Sequence, residues 1–200
     1  MKLGIVGACG RGGYFKKTCD AIDGISIQAI CDINEEGLAK AKEALGAKEA
    51  YLDYEEMLDK SDLDAVLVGT PMQFHVPHSI AALQRDIHVL CEVTAGVSVD
   101  ECRKLVQACK DRGLHPVLLD TPRNTAVIKS AWNGAIAKYT AGCKALAKQQ
   151  SVPFVTMVAS ARFVNTDFYD LLHAVQPGRA KWLKLLAAKT VALLKQYGMR

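Results

Sequence analysis

The sequence lacks the features that mark secreted, membrane and nucleic-acid-binding proteins. None of its seven cysteines forms a C-x-x-C pair, so neither a disulfide framework nor a cysteine-rich zinc site is indicated. No apolar run reaches membrane-spanning length, and the first residues do not resemble a signal peptide. Lysine and arginine form no block, and the net charge is only +4. These absences predict a cytoplasmic protein that enters no membrane and binds no nucleic acid.

Histidine is scarce as well, and no metal site is predicted. His75 and His78 lie three residues apart, but no carboxylate or cysteine at ligand spacing completes a metal-binding set. We expect both side chains to cap a helix or to pack beside a ligand cleft. His88 and His115 each precede an apolar run and are expected at strand edges.

What the sequence does have is an apolar run of strand length that leads straight into glycines. Lys2 to Val6 is followed by Gly7, Gly10, Gly12 and Gly13, and then by a helix-like segment. In a dinucleotide-binding unit the first glycine makes the turn, and the helix N-terminus receives the pyrophosphate. Counted from Gly7, the G-x-G-x-x-G pattern matches at two of three positions, because Cys9 occupies the second. The alternative is that these glycines only turn a strand into a helix.

An acidic residue ends the next predicted strand, which covers residues 25–32. Asp32 stands where a dinucleotide-binding unit places the side chain that binds the adenosine ribose hydroxyls. A carboxylate there repels a 2′-phosphate. The expected cofactor is therefore NAD, with NADP less favoured.

Strand-like runs and helical patterns alternate along the whole chain. Helices are predicted over residues 35–45, capped by Asn34 and stopped by Gly46, and over 99–111, closed by Gly113. The apolar run 64–69 shows no alternation, which is typical of a parallel strand covered on both faces. Repeated right-handed βαβ units predict an α/β fold. The predicted architecture is a doubly wound, Rossmann-like parallel sheet of about seven strands, order 3-2-1-4-5-6-7, in three αβα layers.

We expect residues 1–200 to form a single domain in which all seven strands share this sheet. Loss of residues 121–200 would then expose a strand edge and an apolar sheet face. On this hypothesis the shortened chain is insoluble or molten, and the whole chain melts in one cooperative step.

Residues 1 to about 115 resemble the nucleotide-binding domain of the Gfo/Idh/MocA oxidoreductase family. The resemblance is carried, in the family's order, by Gly4-Ile-Val-Gly7 with Gly10-Arg-Gly12, Cys31-Asp32, Tyr54-Glu-Glu-Met-Leu58, Asp64-Ala-Val-Leu-Val-Gly-Thr-Pro71 with His75, and His88-Val-Leu-Cys-Glu92 followed by Val99-Asp-Glu-Cys102.

The resemblance implies a set of cofactor-binding residues. Those expected around the pyrophosphate are Gly7, Gly10, Arg11 and Gly12. Asp32 is expected on the adenosine ribose, and Thr70, Pro71 and Glu92 on the nicotinamide side. A homodimer is left open.

The chain departs from the family in two ways. The family's usual Glu-Lys-Pro is Glu92-Val93-Thr94 here, which removes an expected acid/base lysine. The family also continues into a substrate domain of well over a hundred residues, whereas about 80 residues follow here. The resemblance therefore implies a nucleotide-binding protein that is catalytically incomplete or inert, at most a vestigial NAD-dependent oxidoreductase.

The remaining segment, 116–200, continues the α/β pattern as a βαβα extension. Helices are predicted over 126–149 and 178–197, and a strand over 152–158. The segment resembles the end of an SGNH (GDSL-like) hydrolase, a flavodoxin-like fold, through Pro116-Val-Leu-Leu-Asp-Thr-Pro122, Trp132-Asn133, Val152-Pro-Phe-Val155, Asp167-Phe-Tyr-Asp170-Leu-Leu-His173 and Gly178-Arg-Ala-Lys-Trp182. Such a combination suggests a natural or engineered chimera joined between Gly113 and Pro116.

This second resemblance implies that His173 is the base of a Ser-His-Asp triad and that Asp170 orients it. The family's Gly-Asp-Ser block, which carries the nucleophile, is absent. Cys9, at the start of a helix after the first strand, is the remaining candidate nucleophile. A hydrolase relic of this kind and a purely structural fold without a ligand are the two alternatives to nucleotide binding.

Overall fold

The computed structural model describes residues 1–120, 124, 130–156, 163–168 and 175–196. The chain divides into two compact units, Met1–Leu114 and His115–Arg200, called unit 1 and unit 2 below. The boundary lies within one or two residues of the predicted join.

Unit 1 is built on a five-stranded parallel sheet. The order is β3-β2-β1-β4-β5, and all four neighbouring pairs are parallel. The α/β fold class and the Rossmann-like order of the first five strands are therefore confirmed. The strands are β1 (Lys2–Val6), β2 (Ser26–Cys31), β3 (Glu49–Tyr51), β4 (Ala65–Val68) and β5 (His88–Cys91).

Helices connect successive strands of unit 1, and polar side chains cap three of them. Asn34 accepts a hydrogen bond from the Gly37 N–H at the start of α2, and Asp53 and Ser98 cap α3 and α5 in the same way. The helices are α1 (Lys16–Asp20), α2 (Glu35–Leu45), α3 (Tyr54–Lys60), α4 (His75–Leu83) and α5 (Val99–Asp111), with 3-10 turns at Arg11–Phe15 and Met72–Phe74.

The sheet of unit 1 has a hydrophobic core on each face. Ile5 of β1 packs into a cluster with residues of α1 and α2, whereas Val6 packs into a second cluster with residues of α3 and α4. Successive residues of a strand point to opposite faces, so the two clusters lie on opposite sides of the sheet. Unit 1 is thus the expected three-layer αβα arrangement.

Unit 2 contains two short strands, which pair with each other in parallel. Leu118 faces Phe154 and Leu119 faces Val155 in the register. The elements are β6 (Leu118–Asp120), α6 (Ser130–Gln149), β7 (Phe154–Thr156), a 3-10 turn at Asn165–Asp167, and α7 (Gln176–Gln196). None of the helices in the described part of the chain has the length and apolar character needed to cross a membrane.

Among the described residues, the sheet of unit 1 does not show the expected continuation beyond its fifth strand. Strands β6 and β7 form a separate two-stranded sheet, and β5 is the last strand of the first. Side-chain exposure alternates along β5, with His88 and Leu90 exposed, so one face of this strand is open. The predicted order therefore holds for strands 1 to 5 only.

The apolar side chains of α7 do not form a fully buried core. Trp182, Leu185, Leu186 and Leu193 are only half-buried, and Val191 is 50 % exposed. Their helical spacing alone does not determine how completely that face of the helix is covered.

Candidate functional site

The loop after β1 is seated tightly on the carboxyl ends of the neighbouring strands. Gly7 has a φ of +79° and donates its N–H to the Cys31 carbonyl at 2.9 Å. A Cβ on Gly7 would lie 2.5 Å from the Gly69 carbonyl oxygen. A Cβ on Gly12 would lie 2.7 Å from the Ile5 side chain, and the Gly12 N–H already donates to the Gly7 carbonyl at 3.0 Å. Gly7 and Gly12 are therefore required for the close approach of loop and strands.

A third glycine, Gly69 at the end of β4, belongs to the same contact. A Cβ there would lie 2.6 Å from both the Cα and the nitrogen of Gly12. Gly69 was not among the predicted site residues, because its place at the end of an apolar strand does not show what crosses it.

Gly10 differs from these three glycines. The nearest neighbour of a Cβ at this position would be the Gly7 carbonyl oxygen at 3.9 Å, so the space beside Gly10 is open. Within the described residues, the N–H of Arg11 donates no hydrogen bond, whereas those of Gly10, Gly12 and Gly13 bond inside the loop. The loop thus packs closely against the strands on one side, and its other side is open and carries an N–H group that can donate a hydrogen bond.

Asp32, at the end of β2, joins this loop through its carboxylate. Its Oδ2 accepts a hydrogen bond from the Cys9 N–H at 2.8 Å, and its Oδ1 accepts one from the Asn34 N–H at 3.0 Å. Each carboxylate oxygen can accept more than one hydrogen bond, so the half-buried group keeps acceptor capacity for a ligand hydroxyl.

Cys9 lies in surroundings that oppose its predicted role as a nucleophile. Desolvation and then the negative charge of Asp32 raise the pKa of the thiol above its ordinary value. A raised pKa lowers the thiolate fraction, whereas a nucleophilic cysteine needs the opposite shift. The partners predicted for it, Asp170 and His173, lie outside the described residues.

Arg11 and Glu92 form an ion pair between the glycine loop and the segment after β5. The Arg11 Nη2 lies 3.0 Å and its Nε 3.1 Å from the Glu92 Oε1. The Arg11 side chain is 60 % exposed, but that of Glu92 is only 13 % exposed. Arg11 was expected beside the pyrophosphate of the cofactor and Glu92 on the nicotinamide side, and in this structure the two side chains are in direct contact.

A cavity of about 380 Å³ opens beside Asp32 at the carboxyl ends of β1 to β4. Of the predicted cofactor residues it brings together Gly7, Asp32, Thr70 and Pro71. Its walls are formed by Val6, Gly7, Cys31, Asp32, Ile33, Leu52, Asp53, Tyr54, Glu55, Thr70, Pro71, Phe74 and His78. A space of this size, mostly apolar with a few polar groups, is typical of a small-molecule site.

Three rings make up one wall of this cavity. His78 stacks on Phe74 with 5.7 Å between ring centroids, and its ring lies 4.5 Å from that of Tyr54. The Tyr54 hydroxyl donates to the His78 carbonyl at 3.0 Å. Burial lowers the pKa of His78, so this ring is neutral at neutral pH.

Most of these wall residues were not predicted from the sequence. Ile33, Leu52 and Phe74 each follow a strand, and the carboxyl ends of parallel strands meet at one edge of a sheet. That rule places the segments together but does not say which side chains point into the crevice.

Comparison with known proteins identifies the family. The model of an oxidoreductase family with an NAD-binding Rossmann fold, GFO_IDH_MocA, matches residues 1–119. The chain belongs to this family. The match covers all of unit 1 and the first residues of unit 2.

Curated relatives show the same partial coverage. A glycosyl hydrolase family 109 protein from Shewanella woodyi is 32 % identical over 123 residues, which are 55 % of this chain and 26 % of the relative. An alpha-N-acetylgalactosaminidase from Bacteroides fragilis is 28 % identical over 128 residues, 60 % of this chain and 30 % of the relative. The chain thus spans less than a third of the length of these two relatives.

Solved structures match over the same part of the chain. Scyllo-inositol dehydrogenase from Lactobacillus casei, with bound NAD(H) and scyllo-inositol, is similar with a TM-score of 0.54 and 27 % identity, over 57 % of this chain and 34 % of that one. The WlbA dehydrogenase from Bordetella pertussis, in complex with NADH and UDP-GlcNAcA, gives a TM-score of 0.51 and 30 % identity over the same shares. The resemblance of residues 116–200 to SGNH hydrolases, and a chimeric origin, stay predictions.

Proposed function

We propose that unit 1 binds NAD(H) along the carboxyl edge of its sheet. The observation that carries the proposal is the contact of Gly7, Gly12 and Gly69 in a chain of the NAD-binding family. These glycines bring the loop after β1 against the ends of β1 and β4, while Gly10 leaves the outer side of the loop open. Two of the solved structures that the chain resembles hold NAD(H) or NADH.

The adenosine half belongs in the cavity beside Asp32. The two oxygens of that carboxylate are fixed by backbone N–H groups, so they are held in place to accept hydrogen bonds from the ribose hydroxyls. Ile33, Leu52 and Phe74 offer exposed apolar surface against which a flat base can pack.

The pyrophosphate belongs over Gly10 and Arg11. The open space beside Gly10 admits phosphate oxygens, and the Arg11 N–H points to no acceptor among the described residues. The Arg11 guanidinium is close enough to add a positive charge when it turns from Glu92.

We propose NAD rather than NADP because of the charges around the cavity. Asp32, Asp53 and Glu55 line it, and among the described residues no lysine or arginine does. A 2′-phosphate would therefore bring about two negative charges next to carboxylates without a cation to balance them. The Asp32→Ala variant should bind NAD more weakly, and its preference for NAD over NADP should be smaller than that of the native protein.

The nicotinamide side, formed by Thr70, Pro71 and Glu92, is proposed to bind without fast hydride transfer. Val93 stands where the family resemblance implies an acid/base lysine, and a valine side chain can neither donate nor accept a proton. The relatives include proteins named as dehydrogenases and as glycosyl hydrolases, which share this nucleotide-binding part. The function that we assign to unit 1 is therefore binding of the dinucleotide.

A fluorescence titration with NADH tests the proposal. The native protein should enhance NADH fluorescence, and Gly10→Val should abolish the enhancement because its side chain fills the pyrophosphate space. Gly134→Val is the matched control, since Gly134 is exposed in α6 of unit 2, a Cβ there meets no neighbour, and its φ is not in the left-handed region. Circular dichroism must show both variants folded. No enhancement by the native protein at millimolar NADH would refute the proposal.

A further inference from the structure

The carboxylate of Glu92 neutralises the cation that lies nearest to the proposed pyrophosphate position. Among the described residues of the loop after β1 and of the cavity walls, Arg11 is the one lysine or arginine. Its Nη2 lies 3.0 Å and its Nε 3.1 Å from the Glu92 Oε1, and its guanidinium carbon lies 5.9 Å from the centre of the Phe15 ring. A pyrophosphate over the loop therefore meets an unpaired cation only after Arg11 has left Glu92.

The two partners of this ion pair differ in their contact with water. The Arg11 side chain is 60 % exposed, so water can solvate its guanidinium in more than one orientation. The Glu92 side chain is 13 % exposed. A carboxylate that is largely shielded from water is destabilised when it loses its cation, because little water is available to replace the partner. Separation of the pair thus leaves Glu92 in need of another positive group.

The strand order determines what comes to lie near Glu92 when a dinucleotide binds. Asp32 follows β2, Arg11 lies in the loop after β1, and Glu92 follows β5, in a sheet with the order β2-β1-β4-β5. With the adenosine beside Asp32 and the pyrophosphate at Arg11, the second nucleoside must extend over the ends of β4 and β5. Two strand spacings, roughly 10 Å, separate β1 from β5, a distance that a nucleoside can span. The nicotinamide ring should therefore lie within reach of Glu92.

We propose that Glu92 is a specificity-determining residue that selects the oxidised form of the cofactor. The proposal rests on the function proposed above. When the pyrophosphate takes Arg11, the Glu92 carboxylate exchanges the guanidinium for the nicotinamide ring, which is cationic in NAD⁺ and neutral in NADH. NADH leaves the carboxylate without a cation, and so does ADP-ribose, which lacks the nicotinamide. Unit 1 therefore binds NAD⁺ more tightly than NADH.

Calorimetric titration of the full chain with NAD⁺, NADH and ADP-ribose tests the exchange. The native protein should bind NAD⁺ about fivefold more tightly than NADH, the effect expected of one ion pair that is partly shielded from water. The titrations are made at about 0.15 M salt, where charges farther than roughly 8 Å apart are largely screened, so that Asp32 contributes little to this ratio. Equal affinities for the two forms, or tighter binding of NADH, would overturn the proposal.

The Glu92→Gln variant separates the exchange from other effects of charge. It keeps the shape of the side chain, removes the carboxylate and releases Arg11, so ADP-ribose and NADH should each bind about three- to fivefold more tightly. The affinity for NAD⁺ should stay within about twofold, since this ligand gains the free Arg11 but loses the carboxylate. The matched control is Glu43→Gln, at an exposed position near the end of α2, which should keep the native ratio. Weaker binding of ADP-ribose by Glu92→Gln would contradict the exchange, because Glu92 would then hold Arg11 in place for the pyrophosphate.

A second variant, Arg11→Ala, measures the coupling between the two side chains. It should bind all three ligands more weakly but keep the preference for NAD⁺, because Glu92 is still present. In the Arg11→Ala background, Glu92→Gln should no longer strengthen ADP-ribose binding, since no ion pair remains to be broken. Circular dichroism must show each variant folded. An equal gain in both backgrounds would overturn the exchange.

The three ligands also distinguish failure of the exchange from failure of the proposed function. If none of them binds to the native protein, the proposed function is wrong and the exchange is refuted with it. If all three bind and the ratio of the NAD⁺ and NADH affinities is the same in the native protein and in Glu92→Gln, the proposed function stands and the exchange is wrong.

Discussion

Unit 1 and unit 2 differ in how completely their elements bury apolar side chains. Unit 1 places a hydrophobic cluster on each face of a five-stranded sheet, with Ile5, Ile30 and Met57 fully buried. Among the described residues of unit 2, the buried hydrophobic side chains are Ala147, Val152 and Phe168. Its strands are three residues long, and its longest helix is mostly exposed. The comparison shows that helix and strand patterns of equal clarity need not produce cores of equal quality.

The largest expected effect comes from separating the units. A fragment of residues 1–114 contains all five strands and both core clusters, so it should stay soluble and unfold cooperatively. Residues 115–200 alone should show helical circular dichroism without a cooperative transition. This expectation replaces that of an insoluble fragment, which depended on one sheet shared by all seven strands. Aggregation of the 1–114 fragment would contradict it.

The next largest effect should come from truncating apolar side chains, which should lower the free energy of unfolding more in unit 1 than in unit 2. Ile5→Ala removes three carbons from a fully buried site and should lower the free energy of unfolding by about 3 to 4 kcal/mol. Leu185→Ala, at a half-buried site of α7, should cost less than about 1.5 kcal/mol. Urea denaturation of the full chain measures both. Equal losses would mean that unit 2 is packed as tightly as unit 1.

Glycine substitutions test how closely the loop after β1 packs against the end of β4. Gly69→Ala forces a methyl group to within 2.6 Å of the Gly12 backbone, and we expect a loss of about 2 to 3 kcal/mol. Gly10→Ala is the matched control, because its methyl group meets no atom closer than 3.9 Å. Thermal unfolding of the two variants should therefore differ, and equal melting temperatures would show that Gly69 is not a close contact.

A smaller, pH-dependent effect is expected in unit 2. The Lys181 ammonium lies 2.6 Å from the Asp167 carboxylate and holds the pKa of that carboxyl below its ordinary value of 3.8. A lowered pKa stabilises the folded unit above the ordinary value, and this contribution is lost as pH falls through the folded value. Trp182 fluorescence should therefore change below about pH 4. The Asp167→Asn variant should show no such change.

The sequence predicted the helices of unit 1 closely because their ends are determined locally. The bounds of α2 and α5 were correct to the residue, since Asn34 caps the first and Gly46 and Gly113 adopt left-handed conformations after the last turns. The order of β1 to β5 followed from right-handed crossovers.

Features that depend on the tertiary structure could not be predicted in this way. Whether a further strand pairs with β5 depends on distant parts of the chain, and the local sequence pattern of β5 carries no such information. The close contact of Gly69 and the pairing of Arg11 with Glu92 appear only when the ends of β1, β4 and β5 are side by side. For the same reason the raised pKa of Cys9 opposed a prediction based on its place before a helix.

We propose that unit 1 binds NAD(H) without help from unit 2. The most direct test is to titrate the full chain and the 1–114 fragment with NADH side by side. Because the cavity and the glycine loop lie wholly within unit 1, the two dissociation constants should agree within about twofold, or about 0.4 kcal/mol. A folded fragment that fails to bind NADH, while the full chain binds it, would contradict the claim.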